Sequence, residues 1–180
     1  MIPILYDKTG NTKITNLTDC IQCIVTEERN GMFEAELVYS VHSSNSDKLI
    51  RGNIIVADAN DTLKGQKFRI YKITKPINGR IKILARHISF DMARDVVTGL
   101  VIDNQSCEYA LNKLFSSSQF SQHFTGHSDI VNSQSTVING TTHILKAIVG
   151  VEGSIIDTFG TSPEILRDNY DFYIYENRGH

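Results

Sequence analysis

The pairs Asn30-Gly31 and Asn78-Gly79 each stand between runs of alternating apolar and polar residues. A two-residue type I′ turn needs positive φ at both central positions, which Asn and Gly adopt at least cost, so such pairs predict β-hairpins. Around the first, Ile21, Cys23 and Val25 alternate with Gln22 and Thr26. After the turn, Phe33, Ala35, Leu37 and Tyr39 share a face opposite Glu34 and Glu36. The period of two puts one face on a core and the other toward solvent or a partner. Around the second, residues 68–74 are set against residues 80–85 across Pro76-Ile77-Asn78-Gly79. Between the hairpins lie a polar break at residues 42–47, a buried-looking strand Ile54-Ile55-Val56-Ala57, and a turn beginning at Asn60-Asp61.

Short strands joined by tight turns predict a small antiparallel barrel or sandwich, and barrel closure removes the exposed edges of so small a sheet. The expected class is therefore α+β, mainly β. A small antiparallel β-barrel is expected over residues 1–95, followed by a mixed α/β segment over residues 96–180. In the latter, Ser106 is placed to cap a helix carrying Glu108 in its first turn, with Cys107, Ala110, Leu111, Leu114 and Phe115 at helical spacing. Residues 116–135 read as loop with one or two short strands. Thr141 or Thr142 caps a second helix bearing Ile144, Leu145, Ile148 and Val149, ended by Gly150, and a short helix covers residues 153–159. The strand pattern Tyr170-Asp171-Phe172-Tyr173-Ile174-Tyr175 has no partner hairpin after it, which predicts an incomplete domain at the front of something longer.

The formal net charge is −2 and no long run of Lys or Arg occurs, which argues against a dedicated nucleic-acid binder. No segment approaches the roughly 18 apolar residues of a membrane span. The opening Met1-Ile2-Pro3-Ile4-Leu5 lacks a basic segment and a cleavage site, so it reads as a first strand of a protein made in a cytoplasm. Three cysteines suggest no disulfide framework.

Candidate chemistry is sparse. Cys20 and Cys23 form a C-x-x-C, but in a regular strand an odd separation points the two thiols to opposite faces. His123, His127 and Asp129 form H-x-x-x-H-x-D around Thr125-Gly126, which spoils a helix. Cys107 with His123, His127 or His143 is a formal Cys–His pair, but Cys107 falls on an apolar stripe. Glu27-Glu28 beside Arg29 reads as a solvated loop tip. No pattern assembles an acid, a base and a substrate cradle, so the expectation is a non-enzyme with no catalytic residues, no metal and no cofactor.

Several ordered stretches carry a family likeness: MIPILYD at the start, VTEERNG, FRIYKITKP with its Asn-Gly turn, ARHISFD, and VGVEGSIIDTFG. Together they resemble the prophage tail protein family, also called the phage minor structural protein N-terminal region or "prophage endopeptidase tail". The resemblance runs from Met1 to about Gly179 and weakens over residues 116–135. It implies a tail-tip or baseplate hub subunit that closes the tail tube, with residues 1–95 as the hub barrel. It also implies a homotrimer, contacts with distal tail and tape-measure proteins and with the host cell wall, and a place in the virion. Peptidoglycan cleavage in this family belongs to C-terminal domains, so no catalytic position is carried over.

On that reading Glu34 and Glu36 line a lumen that repels phosphate. Two alternatives remain: a peptidoglycan endopeptidase acting through Cys107 or His127, and a cell-wall carbohydrate-binding module using Tyr170, Tyr173 and Tyr175.

Overall fold

The computed structural model describes residues 1–28, 32–119, 124–128, 130–149 and 152–159. The chain forms two compact units, Met1–Ile88 and Ser89–His180.

In the first unit the strands are β1 (Ile4–Tyr6), β2 (Lys13–Asn16), β3 (Cys20–Glu27), β4 (Phe33–Ser40), β5 (Ile54–Ala57), β6 (Gln66–Ile73) and β7 (Arg80–His87). They form one seven-stranded sheet in the order β2-β1-β5-β6-β7-β4-β3, with every pairing antiparallel. Both expected hairpins are present. Asn78 and Gly79 take φ of 50° and 70°, and Ile77 and Arg80 exchange both backbone hydrogen bonds at 2.9 and 3.0 Å, as a type I′ turn requires. β3 and β4 pair across Asn30-Gly31, which lies outside the described residues.

The inward face of β4 is the one expected, with Phe33, Ala35, Leu37 and Tyr39 all fully buried. Opposite them Ile81, Ile83, Ala85 and His87 alternate inward along β7. Phe33 stacks on the His87 ring at 4.4 Å and meets Phe68 edge-on at 5.2 Å. The imidazole thus serves as a third aromatic of this cluster. Burial drives its pKa down from 6.5 to about 3, so it is neutral at any physiological pH.

The expected mainly β, antiparallel class is met, but no closed barrel is found among the described residues. The hydrogen-bond ladder is open, ending in β2 on one side and β3 on the other. In a flat sheet of this order those edges stand about 29 Å apart at the usual strand spacing. Yet the chain passes from β2 to β3 through Leu17, Thr18 and Asp19, and the Cys20 N–H donates to the Leu17 carbonyl at 3.1 Å. That β-turn holds the two residues' Cα atoms within about 7 Å. At the other end of β3, Asn60 in the β5–β6 connection donates to Glu27 at 3.4 Å. The sheet is therefore strongly curled, although its ladder does not close.

In the second unit, β8 (Val96–Gln105) and β9 (Gln134–His143) form a two-stranded antiparallel ribbon. Against it pack α1 (Cys107–Ser116), α2 (Ile144–Ile148) and α3 (Ile155–Phe159). α1 has the expected cap, with Ser106 Oγ accepting the Tyr109 N–H at 3.2 Å. All five of its expected apolar residues are buried. They share a core with Val97, Leu100, Ile102, Ile138, Ile144 and Ile155.

The ribbon itself was not anticipated from the sequence. Gly99 and Gly140 both lie in the left-handed region, at φ of 62° and 69°, where a register shift between Thr98 and Leu100 interrupts the ladder. A third Asn-Gly pair, Asn139-Gly140, is thus bulge rather than turn. Thr141 and Thr142 belong to β9 rather than capping α2, whose N-cap is His143 without a side-chain bond. The expected Gly150 terminator and the Tyr170–Tyr175 strand pattern lie outside the described residues.

Candidate functional site

Each inward residue of β4 and β7 has an outward neighbour, and the register aligns these neighbours in rows. One row crosses Thr26, Glu34, Arg86 and Arg69, and the next crosses Ile24, Glu36, Leu84 and Lys72. Directly opposite residues of an antiparallel pair have Cβ atoms about 5 Å apart, so their charges interact.

Arg86 Nε donates to Glu34 Oε1 at 2.7 Å, while the Tyr71 hydroxyl donates to Glu34 Oε2 at 3.0 Å. The Arg86 guanidinium lies 4.6 Å over the Tyr71 ring. Desolvation, then the bond to Glu34, raises the Tyr71 pKa. The bond to Glu34 chiefly raises that of Arg86. Lys82 Nζ sits 2.7 Å from Glu36 Oε1. Arg69 donates to the Lys8 and Gly52 carbonyls at 2.7 and 2.9 Å, tying β6 to the loops before β2 and β5.

Glu34 and Glu36 point away from the core, as the alternation predicted. Their expected role as a phosphate-repelling pair does not fit their surroundings. Each has a cation at 2.7 Å, and the same face also presents Lys67, Arg69, Lys72 and Arg80. The face is net basic, with half-buried Val38 and Leu84 among the charges and exposed Ile24 at its β3 edge. Arg80, Lys82, Arg86 and Tyr71 escaped sequence reasoning. The alternation along residues 80–86 marks the three cations once β7 is known to pair with β4, and Tyr71 joins them from β6.

The two cysteines of the C-x-x-C do not point apart. Between Cys20 and Gln22 the β3 register shifts, so Ile21 bulges out and is half exposed. Cys20 and Cys23 then lie opposite Tyr39 and Leu37, both inward residues of β4. The bulge supplies the extra residue that makes an odd spacing even. Cys20 Sγ donates to the Gln22 carbonyl at 3.1 Å. Burial, with the neighbouring Cys20, pushes the Cys23 thiol up to about 11, and burial raises Cys20 as well. Both are protonated at neutral pH and so are poor nucleophiles.

The remaining candidates do not converge. Cys107 is fully buried in the α1 stripe. His127 Nδ1 is 3.9 Å from Glu108 Oε1, with both side chains exposed. His143 is exposed at the end of β9. His123, Asp129, Arg29, Tyr170, Tyr173 and Tyr175 lie outside the described residues. Among the described residues no three His, Cys, Asp or Glu side chains are grouped to hold a metal ion, and no helix is long and apolar enough to cross a membrane.

No protein-family model and no curated protein matches the sequence. The solved structures give a likeness. Over 94% of its length this chain superposes on the crystal structure of prophage tail protein gp18 from Listeria monocytogenes EGD-e, with a TM-score of 0.59 at 18% identity. The chain shares its fold with that protein. The match takes in 46% of gp18, so this chain spans about half the length of that protein. The likeness covers both units, the curled sheet as well as the ribbon with its helices.

Proposed function

We propose that this chain is the N-terminal, non-catalytic part of a phage tail-tip or baseplate hub subunit, a structural component of the virion. Residues 1–95 form its hub barrel and residues 96–180 an α/β domain. The observation that carries the proposal is the fold likeness to gp18 over 94% of the chain. The ordered motifs from MIPILYD to VGVEGSIIDTFG point independently the same way. The curled sheet suits a tube-closing part, because curvature supplies a wall segment and an outward face for neighbours. In this proposal copies meet as a homotrimer and adjoin distal tail and tape-measure proteins. Any peptidoglycan cleavage resides outside this chain.

The test is location. Antibody raised against the purified chain and visualised with gold on induced phage particles should mark the tail tip alone. Label on the head, along the tube, or nowhere on the particle refutes the proposal. Purified chain clearing a peptidoglycan suspension would instead favour the hydrolase alternative.

A further inference from the structure

The charges of this chain are unevenly shared. Residues 1–88 carry 13 Lys and Arg against 9 Asp and Glu, a net charge of +4. Residues 89–180 carry 5 against 11, a net charge of −6, and the two together give the chain's −2. Such separation is invisible in the overall value and does not follow from what either core needs.

Among the described residues, charges of the prevailing sign cluster on one surface of each unit. In the first, they lie on the outward face of the curled sheet. Glu34 and Glu36 neutralise Arg86 and Lys82 there. Lys67, Lys72 and Arg80 have no ion pair among the described residues. In the second, the described residues carry 3 Lys and Arg against 6 Asp and Glu, a net charge of −3, and four of those six carboxylates lie at one end of the ribbon. The C-terminal end of β8 pairs with the N-terminal end of β9, and Asp103 accepts a hydrogen bond from Ser135 there at 2.9 Å. Thr136 ties Gly153 to the same end at 2.6 Å, and the Gly153 N–H donates to Asp157 at 2.9 Å. Glu108, one turn into the chain after β8, and Glu152, next to Gly153, complete the group, and all four carboxylates are exposed. The cations Arg94, Lys113 and Lys146 lie toward the opposite end. There the Gln119 N–H, just past α1, reaches the Val96 carbonyl at 2.9 Å.

Both surfaces also carry apolar area that neither unit's own core uses. The basic face carries Val38 and Leu84 among its charges and Ile24 at its β3 edge. At the acidic end, Val101 and Val137 are cross-strand partners, and both are exposed. Apolar area within a net excess of one charge is what a specific interface presents, the charges setting orientation and association rate.

We infer that the basic face of the sheet in one copy docks against the acidic end of the ribbon in a second copy, giving head-to-tail association. The occupant is a second copy because the charge complement of the basic face is present in the chain itself. The two surfaces differ, so the contact is heterologous, the kind that builds a closed cyclic ring. This inference rests on the self-assembly part of the proposed function and names the surfaces that carry it.

Sedimentation equilibrium of the whole chain over a wide concentration range tests it, at about 20 mM and about 500 mM salt. Association is expected at low salt, with the apparent Kd rising roughly tenfold or more at high salt. Lys72→Glu with Arg80→Glu should weaken association at least about tenfold, as should Asp103→Lys with Glu108→Lys. An equimolar mixture of the two double variants should recover a heterologous pair. Arg94→Glu with Lys146→Glu, at the opposite end of the ribbon, should leave association unchanged. All these positions are exposed, and circular dichroism checks that each variant folds.

Oligomers insensitive to salt and to every charge reversal overturn the inference while leaving the hub proposal standing. A monomer under all conditions overturns it too. So does a mass that stays monomeric while the hydrodynamic radius responds to charge reversal, which assigns the complementarity to one chain. Salt-sensitive capture of a short DNA duplex by the basic face, lost in the Lys72→Glu, Arg80→Glu variant without any change in mass, assigns that face to nucleic acid and also overturns it. Gold label away from the tail tip refutes the hub proposal but leaves the sedimentation result intact, so the two failures are separable.

Discussion

Lowering the pH through the ordinary histidine range should destabilise the first unit through His87. Its imidazole is fully buried between Phe33 and Phe68, and burial sets the folded-state pKa at about 3 against 6.5 for the free group. Because the folded pKa is depressed, the unfolded chain binds the extra proton first. Stability is complete above about pH 6.5 and falls as pH drops toward 3, by about 1.4 kcal/mol per pH unit. Between pH 6.5 and pH 5, before most carboxylates titrate, the loss is about 2 kcal/mol. Since the chain has two units, a single global transition is not assured. Urea unfolding is best followed through NMR resonances of β4 and β7 at several pH values. The unfolding free energy should decline steadily over this window, whereas in His87→Leu the same window should be nearly flat. A His87 ring proton that titrates near pH 6.5 in the folded protein, or a His87→Leu variant that keeps the full slope, would refute the reasoning.

Gly79→Ala places a Cβ at φ of 70° and 3.3 Å from the His42 ring. The expected cost is about 1–2 kcal/mol, seen as a melting-temperature drop of roughly 4–8 °C per kcal/mol for a unit of this size. Iodoacetamide at pH 8 should alkylate Cys23 about a hundredfold more slowly than an unperturbed thiol, because its thiolate fraction is depressed by about two pH units; peptide mapping reads the rate. Asn112→Ala removes the side chain that donates to the Gly126 carbonyl and accepts the Gly126 N–H, both at 2.7 Å. A loss of about 1–3 kcal/mol is expected, with faster amide exchange at Gly126 and no change in the first unit. Phe33→Ala empties the centre of the aromatic cluster and should cost about 3–5 kcal/mol in the first unit alone, measured by the same resolved urea titration.

The hairpins were legible because their signals are local. Asn78 and Gly79 fix a turn by their own backbone preferences, and the alternation from Phe33 to Tyr39 needs no knowledge of the partner strand. Helix α1 was legible for the same reason, since Ser106 and the stripe from Cys107 to Phe115 lie within one short stretch. The ribbon was not, because Gly99 and Asn139-Gly140 imitate turn punctuation, and only pairing across more than 30 residues reveals them as bulges. The shared face of Cys20 and Cys23 was hidden likewise, since the bulge at Ile21 depends on the register with β4. The cation partners of Glu34 and Glu36 were hidden too, because cross-strand neighbours are set by the β4–β7 register. Local chemistry was readable, and whatever depends on register was not.

The β-turn at Cys20 joins two strands that are consecutive in sequence yet occupy opposite ends of the ladder. That has a consequence for synthesis. β1 and β2 leave the ribosome before β5, yet they join the rest of the sheet only through it. β3 and β4, next to emerge, join only through β7. The β1–β2 pair has its place only once residues up to Ala57 are available and the β3–β4 pair only once residues up to His87 are, and the loop-closure entropy of those distant pairings must be met before their packing rewards it. These strands are thus synthesised well before the partners they dock on. During that interval the apolar residues of β3 stand open to any other nascent chain, and slowing translation after His87 should raise the yield of soluble protein.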